Sequence, residues 1–244
     1  DDQKKVTVQI LNAFTENDKG GNPAGVVLDA DALSHENKLA IAQKVGLSET
    51  AFVSSSKTAD FKLDFYTPTK QLAPSYVDPS KDENEILKSI GLTKADLLPN
   101  APIQVVNTGN SFLLIPVKDV KTLEDITPHF DAIENISEAY DLIGYYVFTT
   151  DATAAEIDAT TRMFAPRYGI LEEAATGMAA GPLASYLYDV LQLKQTTFKI
   201  QQGKYMSPPS SSALEVQLRV ENETIIGLMA GGKGVVANEL EVEI

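Results

Sequence analysis

Residues 169–181 read Gly-Ile-Leu-Glu-Glu-Ala-Ala-Thr-Gly-Met-Ala-Ala-Gly, and an apolar run follows at 183–188. Two carboxylates, Glu172 and Glu173, precede a Thr-Gly turn, after which small residues open a helix that we expect to be buried. A side-chain acid and the free amides of a helix start can face one anionic ligand, because that end of a helix carries partial positive charge. An acid before a helix is more often a simple cap, so both interpretations stay open at this point.

The chain has 244 residues and is acidic, with 34 Asp and Glu, 20 Lys and Arg and a formal net charge of −14. Such a surface repels phosphate backbones and anionic lipid, which argues against nucleic-acid and membrane partners. No apolar run reaches the ~18 residues of a membrane span, and no signal peptide opens the sequence, so we expect a cytoplasmic protein.

The residue types available for chemistry are few. The absence of cysteine excludes disulfides, thiol nucleophiles and thiolate metal sites. His35 and His129 have no second ligand at metal-binding spacing, and no phosphate loop, GxGxxG or GxSxG motif occurs. We therefore expect neither a metal nor a cofactor. Two carboxyl groups on opposite lobes, passing a proton across a bound substrate, would be the simplest chemistry left.

The order of predicted elements indicates a mixed α/β fold of two similar lobes with a cleft between them. An alternating strand at 5–14, a turn, a second strand and a helix capped by Ser34 and closed by Gly46 make up the first succession. A similar succession begins near Ile103, after a polar connector that contains proline. We place the lobe boundary there, with an N-terminal lobe at 1–103 and a C-terminal lobe at 104–244.

Two residues of the first lobe are candidates for a site. Asn22 lies in a Gly-Gly-Asn-Pro turn whose backbone amides could approach a ligand, although a plain connecting loop is an equal alternative. Glu49 lies between the end of the first helix and the apolar strand 51–53. A partly desolvated carboxylate there would hold its proton to higher pH, as acid–base catalysis requires. A surface glutamate in a turn is the alternative.

Seven short blocks of the sequence occur in an order that spans nearly the whole chain. They are NAFT at 12–15, GNPAGVV at 21–27, LSETAF at 47–52, FYTP at 65–68, RMFAP at 162–166, ATG at 175–177 and QG at 202–203. Together they resemble the PhzF family, named for phenazine biosynthesis. The resemblance implies the diaminopimelate-epimerase-like fold, in which each lobe is a mostly antiparallel sheet or barrel around a central helix. It also implies cofactor-free isomerase chemistry in a homodimer.

The resemblance assigns roles to individual residues. Glu49 matches the general acid–base residue of the family, and Glu173 stands where the family usually has Asp. Thr176, Gly177 and Met178 match the turn whose backbone amides hold the substrate carboxylate. Met178 replaces a usual Ser, so a hydroxyl contact is lost while the amide contact is kept.

Two departures from the family pattern bear on activity. The G-H-A-T segment is missing where Ala73 runs into Pro74, together with about 50 residues that would include the central helix around which the first lobe packs. Either the natural protein has residues here that this sequence lacks, which we favour, or the first lobe is open. The second departure is Pro208, which replaces the Arg of an Arg-Pro-Ser pattern.

The leading hypothesis is a PhzF-like isomerase that acts on a small carboxylate-bearing metabolite. The alternative is a catalytically inactive relative that binds a small molecule or a protein partner, and the missing segment, Met178 and Pro208 favour it. Epimerase chemistry of the two-cysteine kind is excluded, since the chain has no cysteine.

Overall fold

A computed structural model describes residues 4–17, 19–46, 50–55, 62–65, 71–151, 154, 156–232 and 234–243. The chain forms two compact units: unit 1 comprises Asp1–Pro68 with Lys233–Ile244, and unit 2 comprises Thr69–Gly232. Among the described residues, no helix is long and apolar enough to cross a membrane.

Unit 1 is a mixed sheet with a helix on one face. Its elements are β1 (Lys5–Ala13), β2 (Asn22–Val27), α1 (His35–Val45), β3 (Thr50–Ser54), β4 (Lys62–Phe65) and β14 (Gly234–Glu243). The strand order is β14-β1-β2-β3-β4, with β2 and β3 parallel and the other pairs antiparallel. Strand β1 is extended with period two because Val6 and Val8 alternate with polar residues, and both side chains pack in a core with Ile41 of α1.

The boundaries of α1 follow from its two caps. The Ser34 hydroxyl accepts from the Asn37 amide and the Asn37 side chain accepts from the Ser34 amide, which forms a capping box. Gly46 ends the helix in the left-handed region with φ 67°. The sequence prediction for this helix is confirmed at both ends.

Unit 2 contains the larger sheet. Its elements are β5 (Ser75–Val77), α2 (Glu83–Ser89), β6 (Gln104–Asn107), β7 (Ser111–Pro116), α3 (Val120–Glu124), α4 (Phe130–Ala139), β8 (Gly144–Thr149), β9 (Ala159–Ala165), β10 (Ile170–Glu173), α5 (Gly177–Asp189), β11 (Thr197–Gln202), β12 (Ser212–Glu221) and β13 (Thr224–Gly231). The strand order is β13-β12-β11-β9-β8-β7-β6-β5, and β10 pairs with β9 beside this path. The pairs β7–β8 and β9–β11 are parallel, and the other pairs are antiparallel.

The central strands of unit 2 are buried on both faces. Helices α2, α3 and α4 contribute apolar residues to a core that also contains Tyr145 and Val147 of β8. Tyr146 and Phe148 alternate with them, and Phe148 meets Tyr186 of α5 edge to face at 5.4 Å. Helix α5 contacts β6, β7, β12 and β13, and almost all of its residues are buried. It is the central helix of this unit, and Tyr146 faces its side of the sheet.

The division into units differs from the lobes predicted at 1–103 and 104–244. Strand β5 pairs with β6, from Ser75 opposite Asn107, and this pairing ties the segment after residue 71 to unit 2. Strand β14 pairs along β1, from Lys5 opposite Glu243 to Ala13 opposite Gly234, so the C-terminal strand lies in unit 1. Composition marks a polar connector near residue 100, but strand pairing sets the division.

Candidate functional site

Helix α5 begins without a side-chain cap. Thr176 occupies the N-cap position with extended backbone angles, φ −143° and ψ 94°, yet its hydroxyl caps no amide of the helix. The amides of Ala179 and Ala180 both donate to the Thr176 carbonyl, at 3.1 and 3.0 Å. Within the described part of the chain, the Gly177 amide has no acceptor. The start of the helix therefore presents an open N–H where its dipole is positive.

The Thr176 side chain is engaged instead by Gln202, a fully buried residue at the end of β11. The Gln202 Nε2 donates to Thr176 Oγ1 at 3.0 Å and to the Glu173 carbonyl at 2.8 Å. Its Oε1 accepts from the Thr176 amide at 3.1 Å and from the Tyr146 hydroxyl at 2.8 Å. Burial raises the pKa of Tyr146, so the phenol stays a neutral donor. One side-chain amide thus joins β8, β10 and the start of α5.

The two carboxylates of the opening stretch have different surroundings. Glu172 forms a two-pronged ion pair with Arg162 of β9, with Nη2–Oε1 at 2.8 Å and Nε–Oε2 at 3.0 Å. The Arg162 side chain is 8% exposed and that of Glu172 is 13% exposed. Glu172 is therefore a structural residue. Glu173, opposite Met163 in the β9–β10 pair, is half-buried and lies four residues before Gly177, the first residue of α5.

Met178 lies near the turn that joins β6 and β7. The Asn110 Nδ2 approaches the Met178 Sδ at 3.2 Å. Gln71 donates to the Gly177 carbonyl at 3.1 Å, and its Oε1 accepts from the Thr108 hydroxyl at 3.4 Å. The first turn of α5 is thus contacted by two side chains, Gln71 and Asn110, and Thr108 holds Gln71 in place.

The structure brings together Glu173, Thr176, Gly177 and Met178 of the predicted site. Asn22 is the first residue of β2 in unit 1, where it is half-buried and lies opposite Ala13. Glu49 lies outside the described residues, so its predicted role stays a prediction. Sequence reasoning assigned no role to Gln202, whose Gln-Gly block was the only signal that could have indicated one.

Among the residues whose placement is described, no group of three or more His, Cys, Asp or Glu could hold a metal ion. The chemistry of the described site comes from one carboxylate, a hydroxyl and an open helix amide. The hydroxyl and the amide can bind an anion, and a carboxylate such as that of Glu173 is a group that can polarise a ligand or exchange a proton with it.

Residues 11–74 and 71–239 match the model of the PhzC-PhzF family, described as phenazine biosynthesis-like protein. The chain belongs to this family. The family resemblance predicted from the sequence blocks is thereby confirmed. The two matched ranges meet at 71–74, where the sequence departs from the family pattern.

The curated relatives of the chain bear isomerase names. One relative is an isomerase of Clostridium acetobutylicum that is called uncharacterized. It is 30% identical to this chain over 302 aligned positions, which cover 98% of each chain. The trans-2,3-dihydro-3-hydroxyanthranilate isomerase of Pseudomonas chlororaphis is 24% identical, covering 91% of this chain and 95% of its own. The first alignment spans 302 positions whereas this chain has 244 residues, so at least 58 positions (302 less 244) are gaps in this chain.

Solved structures of other proteins share the fold. The PhzF-family phenazine biosynthesis protein of Bacillus anthracis superposes with a TM-score of 0.78 at 26% identity, covering 99% of this chain and 100% of that chain. A predicted epimerase of Pseudomonas aeruginosa gives a TM-score of 0.67 at 20% identity, covering 97% of this chain and 99% of that one. The predicted fold class, mixed α/β with mostly antiparallel sheets, is confirmed.

Proposed function

We propose that this protein is a cofactor-independent isomerase that moves a proton within a small carboxylate-bearing metabolite. The observation that carries the proposal is the uncapped start of α5, where the Gly177 amide has no acceptor among the described residues, four positions after Glu173. A helix start of this kind favours a bound carboxylate. The isomerase names of the curated relatives support the reaction class, and the anthranilate in one of them supports a carboxylate substrate.

In this proposal each predicted residue has one role. Glu49 removes a proton from one substrate carbon and returns it to another, and Glu173 orients or polarises the substrate. The amides of Gly177 and Met178 hold the substrate carboxylate, and the turn at Asn22 contributes further backbone contacts.

A hydrogen-exchange measurement tests the reaction. The protein is incubated in D₂O with trans-2,3-dihydro-3-hydroxyanthranilate and with a set of small cyclic and aliphatic carboxylates, and deuterium uptake into the compounds is followed by NMR. Loss of the acid–base group in Glu49→Gln should slow uptake by ~10²–10⁴. Glu36→Gln changes an exposed glutamate in the first turn of α1 and should leave the rate unchanged. Full activity of Glu49→Gln in a folded protein would show that another residue is the base.

The second candidate function is a catalytically inactive relative that binds the same kind of ligand. Two observations favour it: at least 58 gap positions relative to the Clostridium acetobutylicum protein, and the family match that is divided at 71–74. An intact mass above 26.4 kDa for the protein from its own source would reveal residues beyond these 244. Carboxylate binding without any deuterium uptake, at a mass of 26.4 kDa, would favour the inactive relative.

We also propose that the protein is a cytoplasmic homodimer with no nucleic-acid or membrane partner. The net charge of −14 supports the exclusion of both partners, since like charges repel. Light scattering coupled to gel filtration measures the subunit number directly, and a monomer at every concentration would contradict the proposal.

A further inference from the structure

The side chain of Gln202 has every hydrogen-bonding position filled, although it is 0% exposed. Its amide donates to the Glu173 carbonyl and to Thr176 Oγ1, and it accepts from the Thr176 amide and the Tyr146 hydroxyl. A backbone N–H can only donate and a carbonyl can only accept. The Thr176 amide and the Glu173 carbonyl therefore permit a single orientation of the Gln202 amide.

The contact with Gln202 changes what the Thr176 hydroxyl can do. A threonine at the N-cap ordinarily accepts a hydrogen bond from an amide in the first turn of its helix. Here its oxygen accepts from Gln202, and no such cap bond forms. The hydroxyl still has its own proton to donate. Within the described ranges that proton has no acceptor, and neither has the adjacent Gly177 amide, so two donors are open at one helix start.

The backbone of Gln202 is itself fixed from both sides. The Ser212 hydroxyl donates to the carbonyls of Ala174 and Gln202, at 2.6 and 3.2 Å. Gly203 has φ 83°, and a Cβ at this position would lie 2.2 Å from the Ser210 carbonyl. The end of β11 is thus tied to Ala174, Ser210 and Ser212 by these contacts.

We propose that Gln202 is a positioning residue of the carboxylate site: it orients the Thr176 hydroxyl toward the substrate carboxylate, next to the Gly177 amide, and it holds the backbone of Glu173 through the Glu173 carbonyl. This inference rests on the proposed function, because it assigns the geometry of the same site. The Thr176 hydroxyl is then a ligand contact and not a helix cap, and a single buried amide links the backbone of Glu173 to the anion site.

The test compares two substitutions of Gln202 with a matched control on the same strand. Gln202→Met removes all four hydrogen bonds without adding charge, and Gln202→Glu removes the Nε2 donor. Gln201→Glu places the same charge at the preceding buried position, where the side chain accepts from the Thr160 hydroxyl. The probes are benzoate, anthranilate and trans-2,3-dihydro-3-hydroxyanthranilate, and affinity is measured by calorimetry in proteins whose circular dichroism shows a native fold.

At pH 8 we expect both Gln202 variants to bind the tightest probe about tenfold or more weakly, since oriented donors are lost, while Gln201→Glu binds normally. At pH 5.5 the buried carboxyl of Gln202→Glu takes up a proton and can donate again, so its affinity should recover, whereas that of Gln202→Met should not. Among the described residues, the titratable ones that hydrogen-bond to the Gln202 side chain are Tyr146, which stays neutral, and Glu173, through its carbonyl.

Three results would overturn the inference. Unchanged affinity of folded Gln202→Met would refute it while leaving the proposed function intact. Equal losses in Gln201→Glu and Gln202→Glu would show a general effect of charge on β11. A wild-type protein that binds none of the three probes would refute the carboxylate site itself, whereas binding without deuterium uptake would refute only the proposed isomerase reaction.

Discussion

At the scale of single residues, a side chain can be disfavoured by backbone conformation or by close packing, and two glycines with positive φ distinguish the two causes. Gly169 has φ 75°, and a Cβ added there would have no atom within 4 Å. Gly203 has φ 83°, and a Cβ added there would lie 2.2 Å from the Ser210 carbonyl oxygen and 2.8 Å from that of Ala174. Both positions disfavour a side chain through φ. At Gly203, unlike Gly169, a side chain would also collide with backbone that is held in place by hydrogen bonds.

We predict that Gly169→Ala costs about 1–2 kcal/mol of unfolding free energy, the penalty of the left-handed region. Gly203→Ala should cost about 1–3 kcal/mol more, because two carbonyls must shift to make room. Urea denaturation at equal buffer and temperature measures both values. Equal costs for the two variants would mean that the strand end adapts freely, which would also weaken the positioning role assigned to Gln202.

At the scale of elements, Arg162 connects three of them. Its guanidinium pairs with Glu172 on β10, and its Nη1 donates to the carbonyls of Leu123 and Glu124 at the end of α3, each at 3.2 Å. The end of a helix carries partial negative charge, so a cation is favoured there. Strand β10, which directly precedes the site, is therefore held from β9 and from α3.

Removing the guanidinium of Arg162 should destabilise the protein, because the buried Glu172 carboxylate loses its counter-charge. We predict that Arg162→Met destabilises the protein by about 3–5 kcal/mol, because it leaves Glu172 buried and unpaired. Arg162→Met combined with Glu172→Leu should be more stable than the single variant. The exposed pair Lys121–Asp125, with side chains 83% and 59% exposed, is the control, and Lys121→Met should cost less than about 1 kcal/mol. A single variant that is no less stable than the double variant would contradict this account.

The elements of the fold were largely predictable because local signals specify them. The alternation of β1, the capping box of α1 and the two-sided apolar run of β8 each follow from neighbouring residues. The short strand β10 was not predicted, since its pairing with β9 depends on a contact with no local pattern. The pairing of β14 with β1 is likewise invisible to local signals, because it joins the two ends of the chain.

The site was predictable only in part, because contacts between residues that are distant in sequence leave no local pattern. Glu173, Thr176, Gly177 and Met178 lie close together because they are near neighbours in sequence. Sequence could not separate Glu172 from Glu173, because the arginine that neutralises Glu172 comes from another strand. The role of Gln202 was hidden in the same way, since its partners come from three different elements.

At the scale of the whole molecule, unit 2 encloses several phenols in its core. Burial raises the pKa of Tyr145, Tyr146 and Tyr186 above their ordinary value of 10.0, and burial together with a hydrogen bond to Asp189 does the same for Tyr76. Each of these groups binds its proton more tightly in the folded state than in the unfolded state. Their contribution to stability is complete below pH 10 and is lost as the pH rises above it.

We therefore predict that the free energy of unfolding falls from pH 9 to pH 11.5, with a slope of up to about 1.4 kcal/mol per pH unit for each buried phenol. Urea denaturation at several pH values measures the slope. Tyr146→Phe removes one titrating group and should make the slope less steep, whereas Tyr168→Phe, at a side chain that is 54% exposed, should not. A slope that is the same in both variants would show that lysines, and not the buried phenols, control the alkaline limit. The buried phenol that supports Gln202 would then have no measurable part in the stability of the unit.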